Sequence, residues 1–464
     1  MKKKSPIETL AHRAGGQRYT PLSAVFSNLQ TLPSKLLCGL GLAFAVGAPA
    51  AAHATDFADS PYLFGNWGGE RDSLADRGAQ FDFSFTNELS HNFSGGDDRL
   101  TRAASQLAAN ITLDLNRLWG IRHTTFSMIV TDRFGRSVDP DANIGSTQQS
   151  QEVYGRGQTV WLTKLTLDRA FFDGRLDVTV GRDSEGNHYD VAPCNFQNLA
   201  LCGPQGPNLY GNYWMSYPGS VWMANALVHT TASTFVQFGA YQQNPTYYDN
   251  NWEQDNAWKP TNPRGTDGVV LPLEFGWTPT FGGRKGSYRI GAMLNTGGMP
   301  DLLLDVDGNQ RALTGLAARR SGTSFNAWIA ISQQLTGESG GEGLTVGVRG
   351  VMGDRATSEL DRQMTVSFEY QNPLHRTGDR IGLGFAATHI NSRYAMYQAE
   401  YNAANPDDTS QLGHGYEYVS ELYYDLQVIR SVSLQPSLQY TMHPGGSTQN
   451  ANALFVGLRT SVSF

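Results

Sequence analysis

Apolar and polar residues alternate along most of the chain after residue 78. In the stretch Asn452–Phe464, the side chains of Leu454, Val456, Leu458, Val462 and Phe464 share one face, and the small or polar residues Gly457, Arg459, Ser461 and Ser463 lie on the other. A period of two residues is typical of a β-strand with one apolar and one polar face. Similar segments lie at about 81–86, 106–116, 122–133, 158–170, 175–182, 218–229, 232–242, 267–278, 286–296, 322–334, 343–353, 362–371, 380–390, 415–427 and 431–441. We therefore predict an all-β chain of about sixteen strands.

The connections between these segments alternate in length. Brief turns follow the second, fourth, sixth and fourteenth segments, whereas long polar loops follow the first, third, fifth, seventh, ninth and thirteenth. The longest loops are predicted at 134–157, 183–217, 243–266 and 391–414. Short turns on one rim and long loops on the other are typical of an antiparallel barrel in an outer membrane, with the turns on the periplasmic side.

A sheet whose last strand pairs with its first has no free edge, so it can lie in lipid. A secreted β-sandwich is the alternative, because its strands also alternate. Sixteen strands of nearly membrane length favour the transmembrane barrel. Ahead of the strands, Glu70–Arg77 predicts a short periplasmic helix that ends at Gly78. Pro272 and Pro436 predict bulges in their strands.

The first part of the chain indicates export. Residues 36–52 form an apolar run that follows Lys35, and Ala52-His53-Ala54 has a small-x-small cleavage pattern. We predict a signal peptide at 1–54, a periplasmic segment at 55–79 and a barrel at 80–464. The chain has 35 basic and 42 acidic residues. The first 54 residues include six basic residues and one acidic residue, so 29 basic and 41 acidic residues remain after them. This acidic balance argues against nucleic acid as a partner.

The loop at 183–217 carries the most distinctive chemistry. Cys194 and Cys202 lie eight positions apart, and an oxidising compartment favours a disulfide between them over two free thiols. A loop closed in this way could fold into the lumen as a constriction. Aromatic faces stack on sugar rings and charged groups bond sugar hydroxyls. The loop residues with such side chains are Arg182, Asp183, Glu185, His188, Asp190, Tyr210, Tyr213 and Trp214.

The polar face of each strand predicts the lumen of the barrel. Charges of both signs lie there, so we expect a polar pore without strong charge selectivity. The selected residues are Asp82, Glu88, Asp114, Arg133, Glu274, Arg289, Arg349, Glu369, Glu421 and Arg459. Arg182 shares its parity with Val178 and Val180, so it reaches the lumen only if the strand has ended or bulged there.

The motifs of the common enzyme classes do not occur: Gly-x-Ser-x-Gly, His-Glu-x-x-His, Gly-x-x-x-x-Gly-Lys-Ser/Thr and Cys-x-x-Cys are all absent. The ten histidines are scattered, and nothing indicates a cofactor or a metal. We therefore predict a channel that is not an enzyme. A general diffusion porin and, less favoured, an outer-membrane hydrolase are the alternatives to a sugar channel.

Several stretches resemble the carbohydrate-selective porin family of Gram-negative outer membranes. They are Asn66–Arg71 with Leu74 and Gly78, Gly239–Pro245, Glu274–Trp277, Leu438–Gly446 and the cysteine loop Cys194–Gly203. The resemblance implies a sixteen-stranded barrel that passes glucose and related mono- and oligosaccharides by passive diffusion past an inward loop. It carries over Arg182, Asp183 and Glu185, in the Gly-Arg-x-x-x-Gly turn after the fifth strand, and the cysteine pair.

The expected partners are small sugars and outer-membrane lipids. We also expect the assembly machinery of the outer membrane to recognise the last strand, with Phe464 as the signal. A monomer and a homotrimer are both compatible with the sequence.

Overall fold

A closed antiparallel barrel of sixteen strands forms the body of the protein, which we describe from a computed structural model. The structure describes residues 58–209, 214–338, 341–406 and 413–464. Each strand pairs with its neighbours in the chain, and the last pairs with the first, from Ser84 opposite Ser463 to Ser94 opposite Leu454. The barrel has no free edge, so every strand has a partner on both sides. The predicted fold is confirmed.

The barrel strands are numbered in chain order. They are β1 (Ala79–Ser94), β2 (Thr101–Asp114), β3 (Thr124–Gly135), β4 (Val160–Phe171), β5 (Leu176–Asp183), β6 (Val221–His229), β7 (Thr234–Gln243), β8 (Gly268–Trp277), β9 (Arg284–Asn295), β10 (Ser324–Gln334), β11 (Gly343–Gly353), β12 (Leu360–Gln371), β13 (Arg380–Ile390), β14 (Gly415–Ile429), β15 (Val432–Met442) and β16 (Ala453–Ser463). Two hairpin pieces lie outside this set: Thr280–Phe281 pairs with the start of β9, and Met299–Asp305 pairs with Ala318–Ser321.

Short helices occur in the connections. They are α1 (Glu70–Arg77), α2 (Leu115–Trp119), α3 (Val138–Asp141), α4 (Gly206–Leu209), α5 (Asn250–Asn256), α6 (Arg311–Thr314) and α7 (Ser392–Ala404). Helix α1 has its predicted bounds and ends at Gly78, whose φ of 99° is left-handed. Within the described ranges, no helix combines the length and the apolar character needed to cross a membrane.

The barrel wall has its apolar side chains outside and its polar side chains inside. In β8, Leu271, Leu273 and Phe275 are 42 to 56% exposed on the outer face, whereas Glu274 is fully buried. A soluble sandwich would bury the apolar face, so that alternative is wrong. Outward hydrocarbon over a polar interior is the arrangement of a barrel in lipid.

The structure differs from the prediction at one connection and at two prolines within strands. Strand β1 extends to Ser94, so residues 95–100 form a short connection where a long loop was expected. The register is the same on both sides of Pro272 and of Pro436, so the predicted bulges are absent there. Pro272 lies opposite Met293, and Pro436 lies opposite Leu458. A proline lacks only the N–H that would bond to one neighbouring strand, so pairing with the strand on its other side is kept.

Candidate functional site

Residues 184–220 connect β5 to β6, and the described parts of this connection, 184–209 and 214–220, fold into the barrel; we call these parts the crossing loop. Near its start, the backbone N–H of Asp190 donates to Glu274 on β8 at 3.0 Å. Farther along, the backbone N–H groups of Gln197 and Asn198 donate to the two carboxylate oxygens of Glu421 on β14, at 2.9 and 2.8 Å. Strand β14 lies on the other side of the barrel from β5, so the loop crosses the lumen.

The tip of the crossing loop is closed by the Cys194–Cys202 disulfide, which confirms the predicted pairing. Phe196, inside this cycle, packs edge-on against Tyr423 of β14 with ring centroids 4.9 Å apart. On one flank of the tip, Glu369 of β12 accepts a hydrogen bond from the side-chain amide of Asn195 at 2.6 Å. Apolar packing and hydrogen bonds to carboxylates therefore hold the tip against the barrel wall at β12 and β14.

A second loop, which was not predicted from the sequence, also folds inward. In residues 136–159, the backbone N–H groups of Thr147 and Gln148 donate to Glu417 of β14 at 2.7 and 3.2 Å. Glu152 forms an ion pair with Arg459 of β16 at 2.7 Å. The sequence held one indication of this loop: a carboxylate such as that of Glu417, when buried, needs hydrogen-bond donors, and these can come from a loop that folds inward.

The last residue of β5 and the first residues of the crossing loop form a polar turn. The side chain of Asp183 is fully buried and lies 3.1 Å from Nε2 of His188 and 3.7 Å from the ammonium of Lys164. Glu185 is also buried and accepts the backbone N–H of Met215 at 3.1 Å. Burial raises the pKa of Glu185 to about 8. These two carboxylates hold the loop in place and do not face an open path.

Arg182 points outward, contrary to the prediction that it lines the sugar path. Strand β5 continues to Asp183 in constant register, so Arg182 keeps the outward parity of Val180. Its guanidinium donates to the carbonyl oxygens of Lys259 and Ser220 at 2.7 and 2.8 Å. The loop at 244–267 covers it, so this charge has a structural environment outside the lumen.

Trp214 lies inside the barrel but is fully buried, so it does not offer a free face to a sugar. It packs edge-on against Trp328 of β10 at 5.4 Å, in a cluster with Tyr189, Met223 and Tyr241. The predicted role of Trp214 as an exposed stacking residue is therefore not supported by its position. Tyr210 and Tyr213 lie outside the described residues.

Three predicted arginines lie on the inner face of the wall. Arg133 donates to Gln106 at 2.9 Å and lies 3.5 Å from Glu152, beneath the second inward loop. Arg349 lies 3.2 Å from Asp190 and Arg289 lies 3.0 Å from Glu274. Burial raises the pKa of the Asp190 carboxyl, and the charge of Arg349 opposes that shift.

Arg289 and Arg349 also line a cavity of about 380 Å³ between the crossing loop and the wall formed by β9–β13. We call this space the vestibule. Arg380 and Glu369 complete its charged lining, and Arg380 is not among the lumen residues predicted from the sequence. Arg289, Glu369 and Arg380 remain about a fifth to a quarter exposed, at 21, 19 and 27% of their side chains. The vestibule therefore presents both signs of charge to a solute.

Comparison with known proteins agrees with this architecture. A family model described as "Carbohydrate-selective porin, OprB family" matches residues 99–464. The chain belongs to the carbohydrate-selective porin family. It is 35% identical over 459 residues to Porin B of Pseudomonas aeruginosa, which covers 95% of this chain and all of the relative. It is 29% identical over 436 residues to the putative porin QuiX of Acinetobacter baylyi, covering 89% and 95%.

A solved structure leads to the same family. The high-pH structure of Pseudomonas putida OprB is 34% identical and superposes with a TM-score of 0.83, covering 88% of this chain and 99% of that one. The protein is thus an outer-membrane channel for carbohydrates, and its barrel holds a crossing loop in the lumen. It is a channel rather than an enzyme.

Proposed function

We propose that sugars pass the crossing loop through the vestibule, on the side of the barrel formed by β9–β13. The observation that carries this proposal is the partial exposure of Arg289, Glu369 and Arg380 around one cavity. Guanidinium groups donate to sugar hydroxyls and a carboxylate accepts from them, so the lining can replace water lost by a pyranose. Phe196 and Leu201 form the apolar part of the lining, but both are buried, so the charged groups are the contacts that we propose for the sugar.

The charged groups of the vestibule already have partners within the protein, which keeps binding weak. Arg380 lies 3.9 Å from Glu369, and Arg289 lies 3.0 Å from Glu274. A sugar must share these groups with their protein partners, so each contact contributes little net free energy. Weak, multi-site binding is what a channel requires, since a tightly held solute cannot leave. We propose mono- and oligosaccharides, glucose among them, as the solutes.

The experiment is single-channel recording in planar bilayers with glucose, sucrose and a linear polyol of similar size. We expect saturable block of the ion current by sugar in the natural protein. Arg380→Ala and Arg289→Ala each remove hydrogen bonds worth about 1 kcal/mol, so the sugar concentration for half block should rise about 3- to 10-fold. Arg182→Ala is the matched control, because its guanidinium lies outside the lumen. Equal block by sugars and polyol would contradict a sugar-binding vestibule.

We also propose the route by which the chain reaches the membrane. Residues 1–54 are removed as a signal peptide, residues 55–79 stay in the periplasm, and the assembly machinery engages the last strand with Phe464. Residues 1–57 lie outside the described part of the structure. The mass of the protein extracted from outer membranes tests cleavage after Ala54, and a product that keeps residues 36–52 would contradict it.

A further inference from the structure

The stretch Asn66–Arg71, which stands out in the sequence, is not among the residues that line the vestibule. In the structure it belongs to a segment at the rim of the short turns, residues 62–71, which we call the clasp. The Arg71 guanidinium lies over two aromatic rings, 3.5 Å from the ring centre of Tyr62 and 4.3 Å from that of Trp67. Its side chain is only 8% exposed. A caged, desolvated cation of this kind is held in one orientation.

The sequence of the clasp explains the cage. Gly68 and Gly69 have φ values of 70° and 101°, so the chain turns through left-handed conformations that favour glycine. The side-chain oxygen of Asn66 accepts the backbone N–H of Asp72 at 3.1 Å and joins this turn to helix α1. The turn brings Trp67 to one side of Arg71, which lies in the first turn of the helix.

Arg71 joins the two strands that close the barrel. It donates to the main-chain oxygen of Phe464, directly after β16, at 2.7 Å and lies 4.0 Å from the carboxylate of Asp82 on β1. Two further contacts join the clasp to the end of β16. The backbone N–H of Leu63 donates to the carbonyl oxygen of Ser463 at 2.7 Å, and Phe64 packs against Phe464 with ring centroids 5.1 Å apart. The clasp thus contacts both sides of the seam.

We propose that the clasp is a binding site for the end of the chain's own last strand, which locks the seam between β1 and β16. The first and last strands meet only when the barrel closes, and this pairing has no hairpin to hold its ends together. The clasp supplies that connection: it is covalently continuous with β1 through helix α1 and binds the residues that end β16. Arg71 is the central group, and the aromatic cage fixes its direction toward Phe464.

The test measures how fast the folded protein unfolds. Full-length mature protein in detergent is heated at one temperature, and the folded fraction is followed by its faster migration on a gel. Arg71→Ala should speed unfolding about 10-fold or more, because contacts that hold the seam are lost. Arg77→Ala is the matched control on the same helix: its side chain is 62% exposed, and its contacts, a 3.9 Å ion pair with Glu70 and a 3.1 Å hydrogen bond to the carbonyl oxygen of Ser73, stay within helix α1 and do not reach the seam. It should unfold at the natural rate.

Joining β1 to β16 covalently distinguishes an effect of Arg71 on the seam from an effect on helix α1 alone. Thr86 of β1 and Ser461 of β16 are directly opposite each other, so Thr86→Cys with Ser461→Cys can join the strands by a disulfide. In the oxidised double variant, Arg71→Ala should no longer change the unfolding rate; under reducing conditions its effect should return. An equal effect with the seam joined and open would overturn the proposal, as would a natural rate for Arg71→Ala. If Arg71→Ala does not fold, Arg71→Lys, which keeps the charge without the planar stacking, is carried through the same comparison.

Discussion

Replacing Glu421 by Gln should release the tip of the crossing loop. The Glu421 carboxylate is fully buried and gives one oxygen to each of two backbone N–H groups, those of Gln197 and Asn198. A glutamine keeps a single acceptor oxygen and turns an amide donor toward the other N–H. One buried donor is then unsatisfied, at a cost of about 1–3 kcal/mol. A cost of about 2 kcal/mol lowers the ratio of seated to displaced tip roughly 30-fold.

Single-channel recording measures this change. Because the tip forms one side of the vestibule, its displacement should raise the mean conductance, add current fluctuations and weaken block by glucose. Glu417→Gln is the matched control: this residue lies four positions earlier on the same face of β14 and holds residues 147 and 148 of the other inward loop. It should leave glucose block close to that of the natural protein.

Natural conductance, noise and block in Glu421→Gln would refute the reasoning. That result would mean that the disulfide and the packing of Phe196 seat the tip without help from the carboxylate. An equal loss of block in Glu417→Gln would also count against it, because the effect would then not depend on the tip.

Four further outcomes are expected. Replacing Cys194 and Cys202 by Ser opens the disulfide across eight positions, which contributes about 2.5 kcal/mol to the order of the tip in the chain-entropy description. The variant should show larger fluctuations of the single-channel current. A reducing agent should cause the same fluctuations in the natural protein and have no effect on the variant. The folded chain keeps the proton of Glu185 up to about pH 8 and the unfolded chain loses it near pH 4.5, so stability falls as the pH rises through this window. Glu185→Gln should flatten that fall in unfolding temperatures measured between pH 5 and 8, and an unchanged slope would contradict the assignment. Arg182→Ala should increase proteolysis within 244–267 without altering sugar block. Trp214→Ala should cost about 3–5 kcal/mol of stability, seen as a lower unfolding temperature, whereas a loss confined to sugar block would show that the indole acts on the solute.

Local pattern and elementary rules about lipid were sufficient for the barrel. The period of two residues assigns each side chain to one face of a strand, as in β8, where Glu274 faces inward between Leu273 and Phe275. Lipid requires every backbone group of a spanning strand to be paired, so sixteen such strands imply closure. The oxidising compartment and the spacing of Cys194 and Cys202 predicted the disulfide.

Only the tertiary structure decided what faces the pore. Parity shows that Glu421 points into the barrel, but it does not show that the N–H groups of residues 197 and 198, over two hundred positions earlier in the chain, satisfy it. The inward path of residues 136–159 depends on the same kind of distant partner. Likewise, Trp214 is buried because other parts of the wall surround it, and Arg182 is covered by a loop that begins more than sixty residues later. The sequence alone determines the face of a strand on which each side chain lies, because the alternation along a strand is local. Burial and charge pairing depend on residues that come together only when the sheet closes.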